Sequence, residues 1–193
     1  RSCFSGKTTF EVLHMTKKEQ KLFERVLSMN NGNIAKIDGV YRFNNFYYAT
    51  NGVMAVRTLD EPKSPMVPDE VQTSDESLYK RVEEIFEDSI IHGKPIELPT
   101  KKELVEVRKN LAVKDKCKPY IMDCGEMIFA LNNCYLNWFL DVFDGGKYLG
   151  YSPVKPFYFI NKGKTIDAIL FPVRVGPVLE AKYLAHNRKE HIL

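Results

Sequence analysis

Long apolar runs are missing from this chain. No segment approaches the roughly 20 residues that span a bilayer, and residues 1–10 lack the apolar stretch of a signal peptide, so a cytoplasmic protein is expected. An excess of one charge is missing too: 28 Lys and Arg stand against 25 Asp and Glu, a net charge of +3. That balance does not mark a nucleic-acid binder, and only local clustering of bases can. Cysteine is sparse. Cys3, Cys117, Cys124 and Cys134 form no C-x-x-C pair, and free thiols are expected rather than a disulfide or a metal site.

Catalytic signatures are equally thin. The SGKTT stretch at 5–9 has the end of a phosphate-binding loop, but Arg1 stands where the first glycine of G-x-x-x-x-G-K-[ST] belongs. His14, His92, His186 and His191 are scattered, and spacing supports no Ser-His-Asp set, carboxylate pair or dinucleotide loop. The expectation is a non-enzymatic protein without metal or cofactor. What remains is an ordinary globular composition, 44% hydrophobic and 27% charged over 193 residues, enough for one core, and residues 1–193 are read as one domain.

Helix starts are the clearest signals present. Thr16-Lys-Lys-Glu19 and Thr100-Lys-Lys-Glu103 are both capping boxes. The first opens a helix with Leu22, Phe23, Val26 and Leu27 as its apolar stripe, the second one with Leu104, Val107 and Leu111. Each is followed by a strand-turn-strand pattern, VYRFNN with FYYATN after the first and PYIMDCGEMIFALN after the second. A repeated helix-then-hairpin unit is therefore expected. Between the units, 60–76 is a Pro-rich polar loop. Residues 77–94 then form an inserted helix with Leu78, Val82, Ile85, Phe86 and Ile90 on one face, ended by Gly93 and Pro95.

Asn133 is positioned to cap a helix over 134–143, and the strands KYLGYS, PFYFINK and TIDAILFPVRV follow. Residues 176–193 read as a C-terminal helix. The fold class is α+β, with antiparallel hairpins and amphipathic helices.

Three segments carry a family resemblance. ATNGVMAV resembles the ATDGHRLA signature of bacterial DNA polymerase sliding clamps, the β subunit or processivity factor. NNCYLNWFLDVFDGG is similar to the last helix of that family, F-N-x-x-Y-L-x-D-x-L, and DAILFPVRV looks like its C-terminal strand, which ends Y-V-V-M-P-M-R-L. The resemblance covers about half the chain in family order. It implies a DNA-clamp-like fold: two helices packed on one side of antiparallel sheets, built from two similar helix-plus-strands halves. There are departures. Asn51 stands for the family's Asp, Val53 and Met54 replace His-Arg, and 60–94 has no counterpart. The family chain has three such domains, so this would be a reduced relative of the kind a phage or mobile element encodes.

Carried over by residue, the resemblance implies a peptide-binding pocket lined by Thr50, Gly52, Val53, Met54, Ala55, Ile169, Leu170, Phe171, Pro172 and Val173, which would take polymerase or repair-protein peptides. An adaptable apolar surface of this kind suits short peptides, although the same residues also read as core positions of two strands. It further implies non-specific contact between basic helices and duplex phosphates. Lys17, Lys21 and Arg25 recur at i, i+4, i+8 on the first helix, and Lys101, Lys102, Arg108 and Lys109 lie on the second; Glu19, Glu24, Glu103 and Glu106 are interspersed, so a solvated helix face is the competing reading. A clamp-fold interaction or inhibitory module without DNA is the alternative function. A ring of one-domain subunits would require an oligomer of many copies.

Overall fold

The computed structural model of the chain describes residues 15–29, 40–62, 76–110, 119–123, 128–174 and 176. The fold is α+β. Among these residues there are four helices, α1 (Lys17–Ser28), α2 (Glu76–His92), α3 (Lys101–Asn110) and α4 (Asn133–Phe143). The strands are β1 (Tyr41–Phe43), β2 (Phe46–Thr50), β3 (Met54–Thr58), β4 (Lys94–Pro95), β5 (Pro119–Asp123), β6 (Ile128–Asn132), β7 (Lys147–Gly150), β8 (Phe157–Ile160) and β9 (Ile166–Leu170). No described helix is long and apolar enough to cross a membrane.

Seven strands form one antiparallel sheet in the order β1-β2-β3-β9-β8-β7-β4, and β5 and β6 form a separate hairpin. Apart from the short β4, the large sheet is a palindrome. The unit α1-β1-β2-β3 and the unit α4-β7-β8-β9 are each a helix followed by a three-strand meander, and they meet where β3 pairs with β9, Val56 opposite Ala168. This revises the repeat read from the two TKKE boxes. A helix and hairpin do follow each box, but the hairpin β5-β6 stands outside the large sheet, and the partner of the first unit begins at α4.

Side chains alternate across the sheet, as the period of two requires. Met54, Val56, Phe157, Phe159, Ala168 and Leu170 enter a core with Leu22, Phe23 and Val26 of α1, Leu136, Phe139 and Phe143 of α4, and Leu104 of α3. Phe159 meets Phe139 edge-on at 4.8 Å, a geometry aromatic pairs favour. The intervening residues Tyr48, Ala55, Tyr158 and Ile169 form a second core under Phe86 of α2. Helix α2 thus covers the face opposite α1 and α4.

Local chemistry sets the turns. Asn44 and Asn45 hold φ of 46° and 68° between Phe43 and Phe46, the double positive-φ pattern of a two-residue hairpin. Gly146 needs to be glycine for another reason: a Cβ there would lie 2.1 Å from the Ile160 carbonyl oxygen. Several boundaries differ from expectation. The cap of α4 is Asn132, whose side chain accepts from Cys134 and Tyr135 N–H groups, while Asn133 is buried inside the first turn and donates to the Leu104 carbonyl at 3.2 Å. The inserted helix ends at His92, and Lys94–Pro95 pair with β7 at the sheet edge, a position that tolerates proline. Leu111, most of the 60–76 loop and the tail after Gly176 lie outside the described residues.

The hairpin turn gives a direct test. Asn45→Val places a β-branched residue in the left-handed region and is expected to lower stability by about 1–2 kcal/mol, whereas Asn45→Gly should match or exceed the parent. Urea-unfolding midpoints of both variants check this; equal stability of Asn45→Val would contradict the turn geometry.

Candidate functional site

The turn at 51–53 is built by the side chains of Asn51 and Thr50. Asn51 Oδ1 accepts from the N–H groups of Val53 and Met54, both at 3.1 Å, and Gly52 takes φ of 84°, which glycine adopts without steric cost. Thr50 is buried and its hydroxyl donates to the Met54 carbonyl at 2.8 Å. Gly52 and Val53 are left exposed at the tip.

The second strip arrives beside it. Beyond Leu170 the strand expected to run to 175 stops pairing as a strand, and Phe171–Arg174 continue without regular structure. The Phe171 N–H donates to the Val53 carbonyl at 3.0 Å and the Val173 N–H to the Ala130 carbonyl at 2.8 Å, so this segment crosses from the large sheet to β6. The two strips therefore meet within one chain. Their inner members, Met54, Ala55, Ile169 and Leu170, are at most 2% exposed and are core on both faces of the sheet. The accessible part is narrower: Gly52 and Val53 with the half-buried Phe171, Pro172 and Val173.

The basic helices lie in one layer, with α4 between α1 and α3. Lys17, Lys21, Lys101, Lys102 and Lys109 are exposed. Arg25 is half-buried, its guanidinium 5.1 Å from the Trp138 ring of α4, and Lys101 forms an ion pair with Asp141 of α4. The side chain of Arg108 lies outside the described residues.

Under α2 is a cluster that sequence reasoning missed. Arg57 of β3 binds Asp167 of β9 through Nε at 2.9 and 3.0 Å and through Nη2 at 2.9 Å, and its Nη1 lies 3.3 Å from Glu83 of α2. The rings of Phe46 and Phe86 lie 4.6 and 4.2 Å from the guanidinium carbon, and Tyr158 donates to Asp167 at 3.0 Å. The signal was present: MAVRT and IDAIL each carry a single charge, of opposite sign, inside an apolar strand, and buried charges are paired.

Burial raises the Asp167 carboxyl, against the pull of Arg57. Glu83 is pushed up to about 7 by burial, then by repulsion from Glu87 and Asp167. The contact with Arg57 at 3.3 Å does not offset these effects. Glu83 Oε2 is buried with no hydrogen-bond partner among the described residues.

A second cluster fastens the end of α2. Asp88 accepts from the Tyr151 hydroxyl and lies 3.5 Å from both Lys155 and His92. The bond from Tyr151 holds Asp88 below its ordinary value, and burial together with the Asp88 carboxylate pushes Tyr151 up to about 12. Cys134 is half-buried and is in no disulfide. The described residues contain no group of three His, Cys, Asp or Glu able to hold a metal. Cys3, Cys117, Cys124, His14, His186, His191 and the SGKTT stretch lie outside them.

No protein-family model, curated protein or solved structure matches this chain.

The sign of the Glu83 shift fixes a pH dependence. Its folded pKa lies above the ordinary 4.5, so the folded state binds the proton more tightly. The stabilisation is complete below the ordinary value and is lost as pH rises through about 7. Glu83→Gln should flatten this fall and leave the variant about 1–2 kcal/mol more stable than the parent at alkaline pH, less than the full shift because some contact with water remains. Urea midpoints of both proteins across this window decide it; parallel pH profiles would count against the assignment.

Proposed function

We propose that this chain is a non-enzymatic, sliding-clamp-like domain associated with DNA replication, with its helix layer contacting duplex phosphates and the strips at 52–53 and 171–173 receiving short peptides. The observation that carries the reading is the palindromic sheet: two helix-plus-meander halves joined at β3 and β9, with α1 and α4 side by side on one face. Two halves of this kind, with helices on one face, support the DNA-clamp-like reading that the resemblance of the ATNGVMAV, NNCYLNWFLDVFDGG and DAILFPVRV segments implies.

The helix layer supports a phosphate-directed role. Lys17 and Lys21 on α1 and Lys101, Lys102 and Lys109 on α3 are exposed on the helices flanking α4. Long cationic side chains on a layer of this kind suit contact with phosphates and offer no means of reading base order. One observation favours the second reading, an interaction or inhibitory module of the same fold without DNA. Asp141 sits on the central helix and occupies Lys101, while Glu103 and Glu106 are exposed beside the lysines of α3.

Duplex binding separates the two. At about 50 mM salt a mixed-sequence duplex should bind, and with about four phosphates neutralised the affinity should fall about a hundredfold by about 200 mM. Replacing Lys17, Lys21, Lys102 and Lys109 together by Glu should remove binding and leave the circular dichroism spectrum unchanged. A folded parent that binds no duplex at low salt establishes the second reading instead.

A further inference from the structure

The central helix of the layer presents ring surface as well as charge. Tyr135 and Trp138 of α4 pack with one side against the core and remain partly exposed, their ring centroids 5.4 Å apart at 44°. The Arg25 guanidinium of α1 lies over the Trp138 ring at 5.1 Å. Lys17 and Lys21 extend the Arg25 row along α1 at one-turn spacing and are exposed. The seam between α1 and α4 thus combines two aromatic rings, one guanidinium plane and two exposed ammonium groups.

Duplex phosphates have no use for the rings, because paired bases are already stacked within the helix. Unpaired nucleotides use both components: bases stack on aromatic rings and guanidinium planes, and phosphates follow the cations. The nearest acid of α4, Asp141, is neutralised by Lys101 on the α3 side and does not oppose a phosphate chain at the α1 seam. Glu24, half-buried on α1 beside Arg25, is the local opposing charge.

We propose that the α1-α4 seam binds single-stranded DNA, an unpaired base stacking on the Trp138-Tyr135 pair while the adjoining phosphates run along Arg25, Lys21 and Lys17. The inference deepens the DNA reading above and rests on it. It adds a preference for unpaired over paired nucleotides, and places it on two residues that carry no charge.

Trp138 is the chain's one tryptophan, so its emission reports on the site directly. Titration with an oligothymidylate of about 20 nucleotides at about 50 mM salt should quench that emission, whereas a duplex of equal length should bind without quenching. Trp138→Ala should weaken single-strand binding, followed by anisotropy of a labelled strand, about five- to a hundredfold, the range expected for one lost base-aromatic stack. Duplex binding should be unaffected, and Trp138→Phe should restore most of the loss. If Trp138→Ala does not fold, Tyr135→Ala carries the same comparison with the tryptophan signal intact. Single-strand binding without quenching, or equal weakening of single strand and duplex, overturns the inference. Duplex binding with no single-strand binding overturns it while leaving the DNA reading in place; a folded protein that binds neither sinks both.

Discussion

Strands β3 and β9 lie far apart in the chain, yet the ladder from Met54–Leu170 to Thr58–Ile166 is the seam on which both halves of the sheet depend. Closing so long a loop costs conformational entropy before the contacts reward it. The reward comes on both faces at once, because all ten residues of the two strands are buried. Arg57 and Asp167 are directly opposed in this ladder. A slip of one residue would put them on opposite faces and bury two unpaired charges, which costs more than the pair itself contributes. The ion pair is best understood as fixing register, with the apolar residues around it supplying the stability.

The end of the seam nearest Thr58 is tied to the helix layer by a single carboxylate. Glu19 closes the capping box of α1 with one oxygen and with the other accepts from Asn161 at 2.6 Å and Thr165 at 2.7 Å. Thr58 in turn donates to the Thr165 carbonyl at 2.8 Å. Glu19 is therefore buried, while Glu103, in the same box on α3, is exposed and bonds only within its own cap. Identical sequence signals thus give one local cap and one joint between layers.

That contrast shows what sequence could reveal. Caps and turns act over three or four residues, so α1, α3 and the hairpin at Asn44-Asn45 were legible, as was the apolar stripe of α1. The pairing of β3 with β9 was harder to read: the opposite single charges in MAVRT and IDAIL hint at it, but no local pattern in either strand fixes which other strand it joins. The TKKE boxes suggested the wrong repeat for a related reason: capping chemistry recurs wherever a helix starts, whereas the palindrome is a property of strand order. Burial of Ala55 and Ile169, two of the residues carried over from the family resemblance, was not legible because it depends on α2 covering the second face. A half-covered sheet would have left them accessible.

Both faces of the sheet are covered by helices among the described residues, and the two regions to which the proposed function assigns partners are the outer surface of the helix layer and the end of the seam where Val53 and Phe171 meet. The helix layer lies over one face of the β3-β9 pair, and the pair is fastened at both ends. Glu19 and Thr165 hold α1 at the Thr58–Ile166 end, and the Val53–Phe171 hydrogen bond closes the Met54–Leu170 end. Strands buried on both faces and locked in register by Arg57 and Asp167 do not slide.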